Sequence, residues 1–242
     1  MIILSQITKN HWIELAIRAF IFMLTIASHT IDKLSENPVI RCVTYAIIWV
    51  FFYFKMISRL IPKKIESMGN QKLFAKNYVA TGTSTNKDHK SAIIVGLVWL
   101  SLNSIFFALY FANIISKEFM LILAMFFAVC DLVCILFFCP FQKWFMKNKC
   151  CNTCRIYNWD FAMMFTPLWI VPSFYNYSLV IMSIVVLIIW EVSYHKHFER
   201  FHEETNESLK CKNCKELMCR NKLRVVRDNQ KKVVKKREKI LD

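Results

Sequence analysis

Six of the ten cysteines lie in two short polar segments, 150–154 and 211–219, and each segment contains a Cys-x-x-Cys pair. Two thiolates on one tight turn can both bind the same ion, and two such pairs make the four-thiolate set of zinc and iron–sulfur sites. The primary ligands that we predict are Cys151, Cys154, Cys211 and Cys214, with Cys150 and Cys219 as alternates.

Three interpretations of these thiols remain open at the level of sequence. They bind a metal, they are free reduced thiols, or they carry out thiol–disulfide chemistry with pKa values lowered by nearby Lys and Arg. The third interpretation usually requires a thioredoxin-like βαβ context, which the sequence lacks. The turns CNTC and CKNC contain none of the glycine or proline common in zinc turns. The predicted cofactor is therefore an iron–sulfur cluster or Zn²⁺, undecided between the two.

The composition favours a membrane protein. Of 242 residues, 56% are hydrophobic, while only three are glycine and five are proline. No GxGxxG, GxxxxGK[ST] or HExxH motif occurs, which argues against the corresponding nucleotide sites and against a zincin-type protease. The N-terminus also lacks the pattern of a cleaved signal peptide, so we expect the thiols in the reducing cytoplasm.

Apolar runs near the length of a bilayer crossing divide the chain into six predicted segments. Glu14 and Arg18 make the first one weak, but their i,i+4 spacing predicts that they pair on one helix face. The fifth is short and contains Pro167, which indicates a kinked, tilted or re-entrant helix. The predicted segments are 11–31, 39–61, 91–115, 119–139, 159–173 and 178–194.

The distribution of Lys and Arg predicts the orientation of these segments. The 62–90 connection has six, the 140–157 connection four and the chain after Tyr194 fifteen, whereas the opposite loops contain only Lys33 and Lys117. We therefore predict an all-α, polytopic helix bundle in the cytoplasmic (inner) membrane. It has about six transmembrane helices, or five if the first is interfacial, and both termini are cytoplasmic. Residues 1–194 form the bundle and 195–242 a basic cytoplasmic tail.

Two acidic residues in the apolar region stand out. Asp131 lies within the fourth segment, where a carboxylate is costly and therefore a functional candidate for proton or cation passage, or else a hydrogen-bonded structural group. Asp160 is expected to cap the fifth helix. The sequence predicts no catalytic residues, because no nucleophile and base are recognisably paired.

The tail suggests partners. Apolar residues recur at helical spacing from Leu223 to Leu241 among many Lys and Arg. We predict that this amphipathic basic pattern binds anionic lipid, besides the lipid bilayer around the bundle, with a short coiled coil or a solvated helix as the alternatives. A redox or other membrane partner protein is a further expectation, and nucleic acid is not favoured. His195, His197 and His202 are interpreted as interfacial residues, with metal ligation as the alternative.

The stretch CPFQKWFMKNKCCNTCRIYNWDFAMMFTP, followed by EVSYHKHFERF and LKCKNCKELMCR, resembles multi-pass membrane proteins of anaerobic Gram-positive bacteria with CCxxC and CxxCxxxxC cytoplasmic motifs. The resemblance covers about 139–220. It implies a membrane location and brings no established activity with it.

The resulting hypothesis is an integral membrane protein with a cytoplasmic, cysteine-coordinated metal site that passes electrons or senses redox or metal state. One alternative is a scaffold in which zinc has only a structural role. Another is a transporter of small solutes or ions that uses Asp131.

Overall fold

The computed structural model describes residues 6–35, 38–63, 66–84, 89–148, 150–214 and 216. The protein is all-α within these ranges, where an isolated bridge from Ala80 to Asn206 is the only extended pairing. The α-helices are α1 (Gln6–Ser35), α2 (Pro38–Arg59), α3 (Met68–Gln71), α4 (Lys90–Phe111), α5 (Lys117–Leu136), α6 (Asp160–Met164) and α7 (Phe174–Lys196).

Five of these helices are long and apolar enough to cross a membrane: α1, α2, α4, α5 and α7. They correspond to five of the six predicted segments, and the doubtful first segment is among them. Large apolar side chains point outward along them; Ile93, Leu97 and Ile105 on α4, for example, are each more than half exposed. Outward apolar faces of this extent suit a lipid environment and not water.

The turn between α4 and α5 shows how local sequence ends and starts these helices. Asn113 adopts a left-handed conformation with φ of 58° just after α4, a position that asparagine tolerates well. Ser116 then caps α5, because its hydroxyl oxygen accepts the backbone N–H of Phe119 at 3.3 Å. The two helices form a short antiparallel hairpin, because only three residues, 116–118, separate the predicted segments 91–115 and 119–139.

The fifth predicted segment, 159–173, is not one continuous helix. It consists of α6 followed by a 3₁₀ turn at Thr166–Ile170, with Pro167 near the start of that turn. The indole N–H of Trp159 donates to the carboxylate of Glu191 near the end of α7, whereas the segment finishes at Ser173, immediately before α7 begins. It therefore runs antiparallel to α7 over about 25 Å, at 1.5 Å per residue of α7. The hairpin of segments five and six is present, but its first half is broken.

Protein surrounds this broken segment. Phe161, Phe165 and Leu168 are essentially fully buried, and the Phe165 ring packs edge-on against Phe52 of α2 at 5.3 Å. Trp99 of α4 donates from its indole N–H to the hydroxyl oxygen of Thr166 at 3.1 Å. Irregular backbone at membrane depth requires such enclosure, since lipid offers it no hydrogen bonds.

The ends of α2, α5 and α7 and the start of α4 lie at the same end of the bundle, called the loop end below. The connections 60–84 and 137–158 and the chain after α7 meet there. Backbone bonds join the chain after α7 to the first of these connections: Glu207 N–H donates to the carbonyl of Val79 at 2.8 Å and Thr81 N–H to that of Thr205 at 3.2 Å.

Candidate metal centre

The first cysteine segment forms a tight turn. Cys151–Thr153 is a 3₁₀ turn, closed by a backbone bond from Cys154 N–H to the carbonyl of Cys151 at 2.9 Å. The Thr153 hydroxyl donates to the carbonyl of Cys150 at 3.0 Å. Cys154 is buried and Cys151 half-buried. The two thiols of this Cys-x-x-Cys pair are thus carried by one short, internally bonded turn.

A buried lysine from another segment holds the turn in place. Lys72 directly follows α3 and is only 2% exposed. Its ammonium donates to the carbonyls of Asn152 at 3.1 Å and Cys154 at 2.9 Å, and it lies 5.6 Å from the ring centres of Tyr157 and Phe201. Burial lowers the pKa of Lys72 to about 8, because loss of water disfavours the charged form, although the neighbouring cysteines oppose this shift.

Both cysteine segments form hydrogen bonds with the start of α3. The carbonyl oxygen of the Asn152 side chain accepts the Ser67 hydroxyl at 3.0 Å and the Gly69 N–H at 3.2 Å. The carboxylate of Glu216, two residues after Cys214, accepts the Met68 N–H at 3.0 Å. Asn152 and Glu216 therefore bind three consecutive residues of the same short helix.

The second cysteine segment is a looser turn. A backbone bond of 3.4 Å closes it from Cys214 N–H to the carbonyl of Cys211. The Cys214 sulfur accepts the N–H of Glu216 at 3.4 Å. Just before this turn, the Asn206 side chain accepts the Ser208 N–H at 3.1 Å and donates to the carbonyl of Arg200 at 2.8 Å. Within the turn, the side-chain N–H of Asn213 donates to the carbonyl of Glu207 at 2.8 Å and ties the segment to the residues just before it.

Burial controls the protonation of the first pair. It raises the pKa of the Cys151 thiol, and the neighbouring Cys139, Cys150, Cys154 and Glu216 add to the shift. Burial also raises the pKa of Cys154, against the influence of the Lys72 ammonium. These shifts favour the protonated thiols, so a metal ion would have to displace their protons.

The predicted ligands lie at one end of the bundle but do not converge on one point. Cys150, Cys151, Cys154, Cys211 and Cys214 are all at the loop end, whereas Cys219 lies outside the described residues. Within those residues, no group of three or more His, Cys, Asp or Glu side chains is arranged to hold a metal ion. The assignment of these cysteines as metal ligands stays a prediction.

A cavity of about 360 Å³ adjoins the first pair, on the side of α5. Aromatic side chains, among them Trp99 and Phe127, form much of its wall. Five cysteines also line it: Cys130, Cys134, Cys139, Cys151 and Cys154. Sequence patterns did not reveal this cavity, because it depends on how α5 packs against the chain after Pro140.

Asp131 belongs to a buried network of charges inside the bundle. Its carboxylate contacts the guanidinium of Arg18 at 2.8 Å, and the same guanidinium contacts Glu14 at 2.7 Å. Glu14 also contacts Lys55 at 2.7 Å. The predicted pairing of Glu14 with Arg18 is confirmed. The ion pair gives Asp131 a structural partner, while its use in transport stays untested.

Asp160 does not have the capping role predicted for it. Its side chain caps no backbone group of α6. Instead both carboxylate oxygens lie 2.5 Å from the guanidinium of Arg59, which also sits 4.4 Å from the ring centre of Phe161. The prediction was wrong because Arg59, a hundred residues away in sequence, offers a stronger partner than the amides of a one-turn helix.

The fold and the site define a class: an all-α membrane protein whose cysteine-rich connections gather at one end of the helix bundle. No protein-family model matches the chain, and no curated protein or solved structure matches it.

Proposed function

We propose that this protein lies in the cytoplasmic membrane with the loop end in the cytoplasm and binds a metal centre there through cysteine thiolates. The centre passes electrons or reports the redox or metal state of the cell. Cys151 and Cys154 are its first ligands. By the sequence pattern, Cys211 and Cys214 complete the set, with Cys150 and Cys219 as alternates.

One observation carries this proposal: both cysteine segments bind the start of α3, Asn152 at Ser67 and Gly69 and Glu216 at Met68 between them. Each of these two residues lies two positions from a cysteine of its own pair. Their common anchor supports a shared role.

The surroundings of Cys154 support an anionic centre. Metal sites with four thiolates carry net negative charge, which is costly in a half-buried place unless a cation lies close. The Lys72 ammonium supplies that cation within hydrogen-bond distance of the turn itself. Two of the three N–H donors of this ammonium bond to the carbonyls of Asn152 and Cys154, so the positive charge remains beside the thiols.

Metal analysis of the full chain, purified without oxygen in detergent, tests the proposal. We expect bound iron with acid-labile sulfide, or bound zinc, in stoichiometric amount, and we expect the double variant Cys151→Ser/Cys154→Ser to lose it. Cys42→Ser is the matched control, because Cys42 is exposed on α2. A wild-type chain that holds neither metal, both as isolated and after incubation with each, would contradict the proposal.

The kind of metal then separates the two roles. Iron with sulfide and a reversible one-electron signal supports electron transfer or redox sensing. Zinc alone supports the structural scaffold, since Zn²⁺ has no redox chemistry.

A further inference from the structure

The cavity beside α5 is lined by five of the nine cysteines in the part of the chain that the structure describes. Three separate stretches bring them there. Cys130 and Cys134 lie one turn apart near the end of α5, Cys139 follows that helix, and Cys151 and Cys154 come from the tight turn. Neither Cys211 nor Cys214 lines this cavity.

Gln142 connects two of these stretches, and Cys134 and Cys139 line the same cavity at the end of α5 and just after it. Gln142 contacts the thiols on both sides: its backbone N–H donates to the Cys139 sulfur at 3.4 Å, and its side-chain oxygen accepts from the Cys151 thiol at 2.8 Å. Gln142 therefore bridges the Cys151–Cys154 turn to Cys139.

The other donors around the cavity are occupied or soft. Asp131 is paired with Arg18, and Asp160 with Arg59. Met163 and Met164 add thioether sulfur to a wall that is otherwise mostly aromatic and aliphatic. Thiolate-rich surroundings with few oxygen donors select soft metals and iron–sulfur clusters.

The size of the cavity favours a polynuclear cluster over a single metal ion. A water molecule takes up about 30 Å³ of liquid volume, and a single metal ion needs no more space than that. The cavity of about 360 Å³ is an order of magnitude larger. A polynuclear cluster fills more of this space, and it holds its cysteine ligands farther apart than a single ion does.

We propose that an iron–sulfur cluster occupies this cavity, with Cys134, Cys139, Cys151 and Cys154 as its ligands. The inference rests on the proposed function and changes the ligand set, because Cys134 and Cys139 take the places assigned to Cys211 and Cys214. Each ligand forms a sulfur–iron bond as its thiol proton leaves to solvent, and no electron is transferred in that step. The second cysteine segment then fixes the cytoplasmic chain and does not bind the cluster.

Anaerobic reconstitution of the full chain in detergent with ferric iron, sulfide and a thiol reductant tests this ligand set. Iron, acid-labile sulfide and the visible charge-transfer absorption are measured for Cys134→Ser, Cys139→Ser, Cys211→Ser and Cys214→Ser. We expect the first two variants to lose cluster affinity about tenfold or more and the last two to keep it. Cys130→Ser is the matched control, since Cys130 lines the same cavity one turn before Cys134.

The outcomes distinguish the inference from the proposed function. If Cys211→Ser and Cys214→Ser lose the cluster while Cys134→Ser and Cys139→Ser retain it, this ligand set is overturned and the proposed metal centre stands. A chain that binds zinc and never iron likewise overturns this ligand set, while the proposed metal centre stands. Equal losses in Cys130→Ser and Cys134→Ser would show a packing effect and overturn the inference. A wild-type chain that binds no metal removes both proposals. Circular dichroism of each variant establishes that it is folded.

Discussion

The ammonium of Lys72 donates to the carbonyl oxygens of Asn152 and Cys154, which lie on either side of Thr153. This lysine is one of six Lys and Arg residues in the 62–90 connection, yet it is buried while Lys76, one helical turn later, is exposed. Through these two bonds a connection between helices determines the shape of a cysteine turn that lies eighty residues away.

Replacing Lys72 with methionine should destabilise this end of the protein. The change keeps much of the apolar stem but leaves two buried carbonyls without their donor, at a cost of about 1–3 kcal/mol for each. We expect a lower thermal unfolding midpoint in detergent and a lower metal content. Lys76→Met, as the control, should change stability by less than about 0.5 kcal/mol. Equal behaviour of the two variants would show that the Lys72 bonds contribute nothing.

Gly69 is a position where a single methyl group should disturb the site. A Cβ atom there would lie 2.5 Å from the Tyr157 ring, so the ring and its 2.9 Å bond to the Ser67 hydroxyl must shift. We expect Gly69→Ala to cost about 1–3 kcal/mol, as overpacking does. Gly96→Ala is the control, because its nearest contact, with Trp159, would be an ordinary 3.6 Å. Thermal unfolding followed by tryptophan fluorescence measures both, and a more stable Gly69→Ala protein would refute the close approach.

The Arg18–Asp131 pair predicts which of two substitutions destabilises the protein more. Arg18→Met leaves the Asp131 carboxylate buried without its partner, which costs about 3–5 kcal/mol. Asp131→Asn should cost less, because the amide oxygen still accepts from Arg18 and Glu14 still balances its charge. Unfolding in detergent measures this difference.

The Asp131→Asn variant also tests whether Asp131 takes part in transport. If that carboxylate carries protons or cations, Asp131→Asn abolishes flux into vesicles although the protein stays folded. Flux equal to that of the wild type would leave Asp131 with a structural role alone.

The orientation predicted from Lys and Arg can be read by labelling single added cysteines. Ser116 is exposed between α4 and α5, at the end opposite the loop end, and Ser84 is exposed at the loop end. A membrane-impermeant maleimide should label Ser116→Cys in intact cells and Ser84→Cys only after the cells are opened. The wild-type chain gives the background from its own cysteines. The reverse pattern would place the loop end outside the cell.

Several features of this fold follow from sequence patterns. Apolar run length predicts the five long helices, and i,i+4 spacing predicts the contact of Glu14 with Arg18, because both are properties of short stretches of chain. The meeting of the two cysteine segments at the loop end follows from the hairpin of segments five and six. None of these inferences needs to know which side chains face each other across the bundle.

The parts that could not be predicted depend on packing between distant segments. Nothing near Lys72 distinguishes it from the other lysines of its connection, and its burial becomes apparent only when Tyr157 and Phe201 surround it. Arg59 and Asp160 form their pair across a hundred residues. Cys139 carried one local signal, the Cys-Pro step that follows α5, but its closeness to Cys151 depends on the bridging position of Gln142.

The broken segment 159–173 has a consequence for how the chain is made. Asn176, in the first turn of α7, donates its side-chain N–H to the carbonyl of Val171 at 3.2 Å. The indole N–H of Trp99 on α4 donates to the hydroxyl oxygen of Thr166. In lipid alone the interrupted backbone of this segment would keep unsatisfied carbonyls at a cost of several kcal/mol each. It therefore should not enter the bilayer by itself as it leaves the ribosome. We expect it to wait at the membrane surface until α7 has been synthesised and then to insert together with α7, so that a chain released after Ser173 would leave this segment outside the lipid.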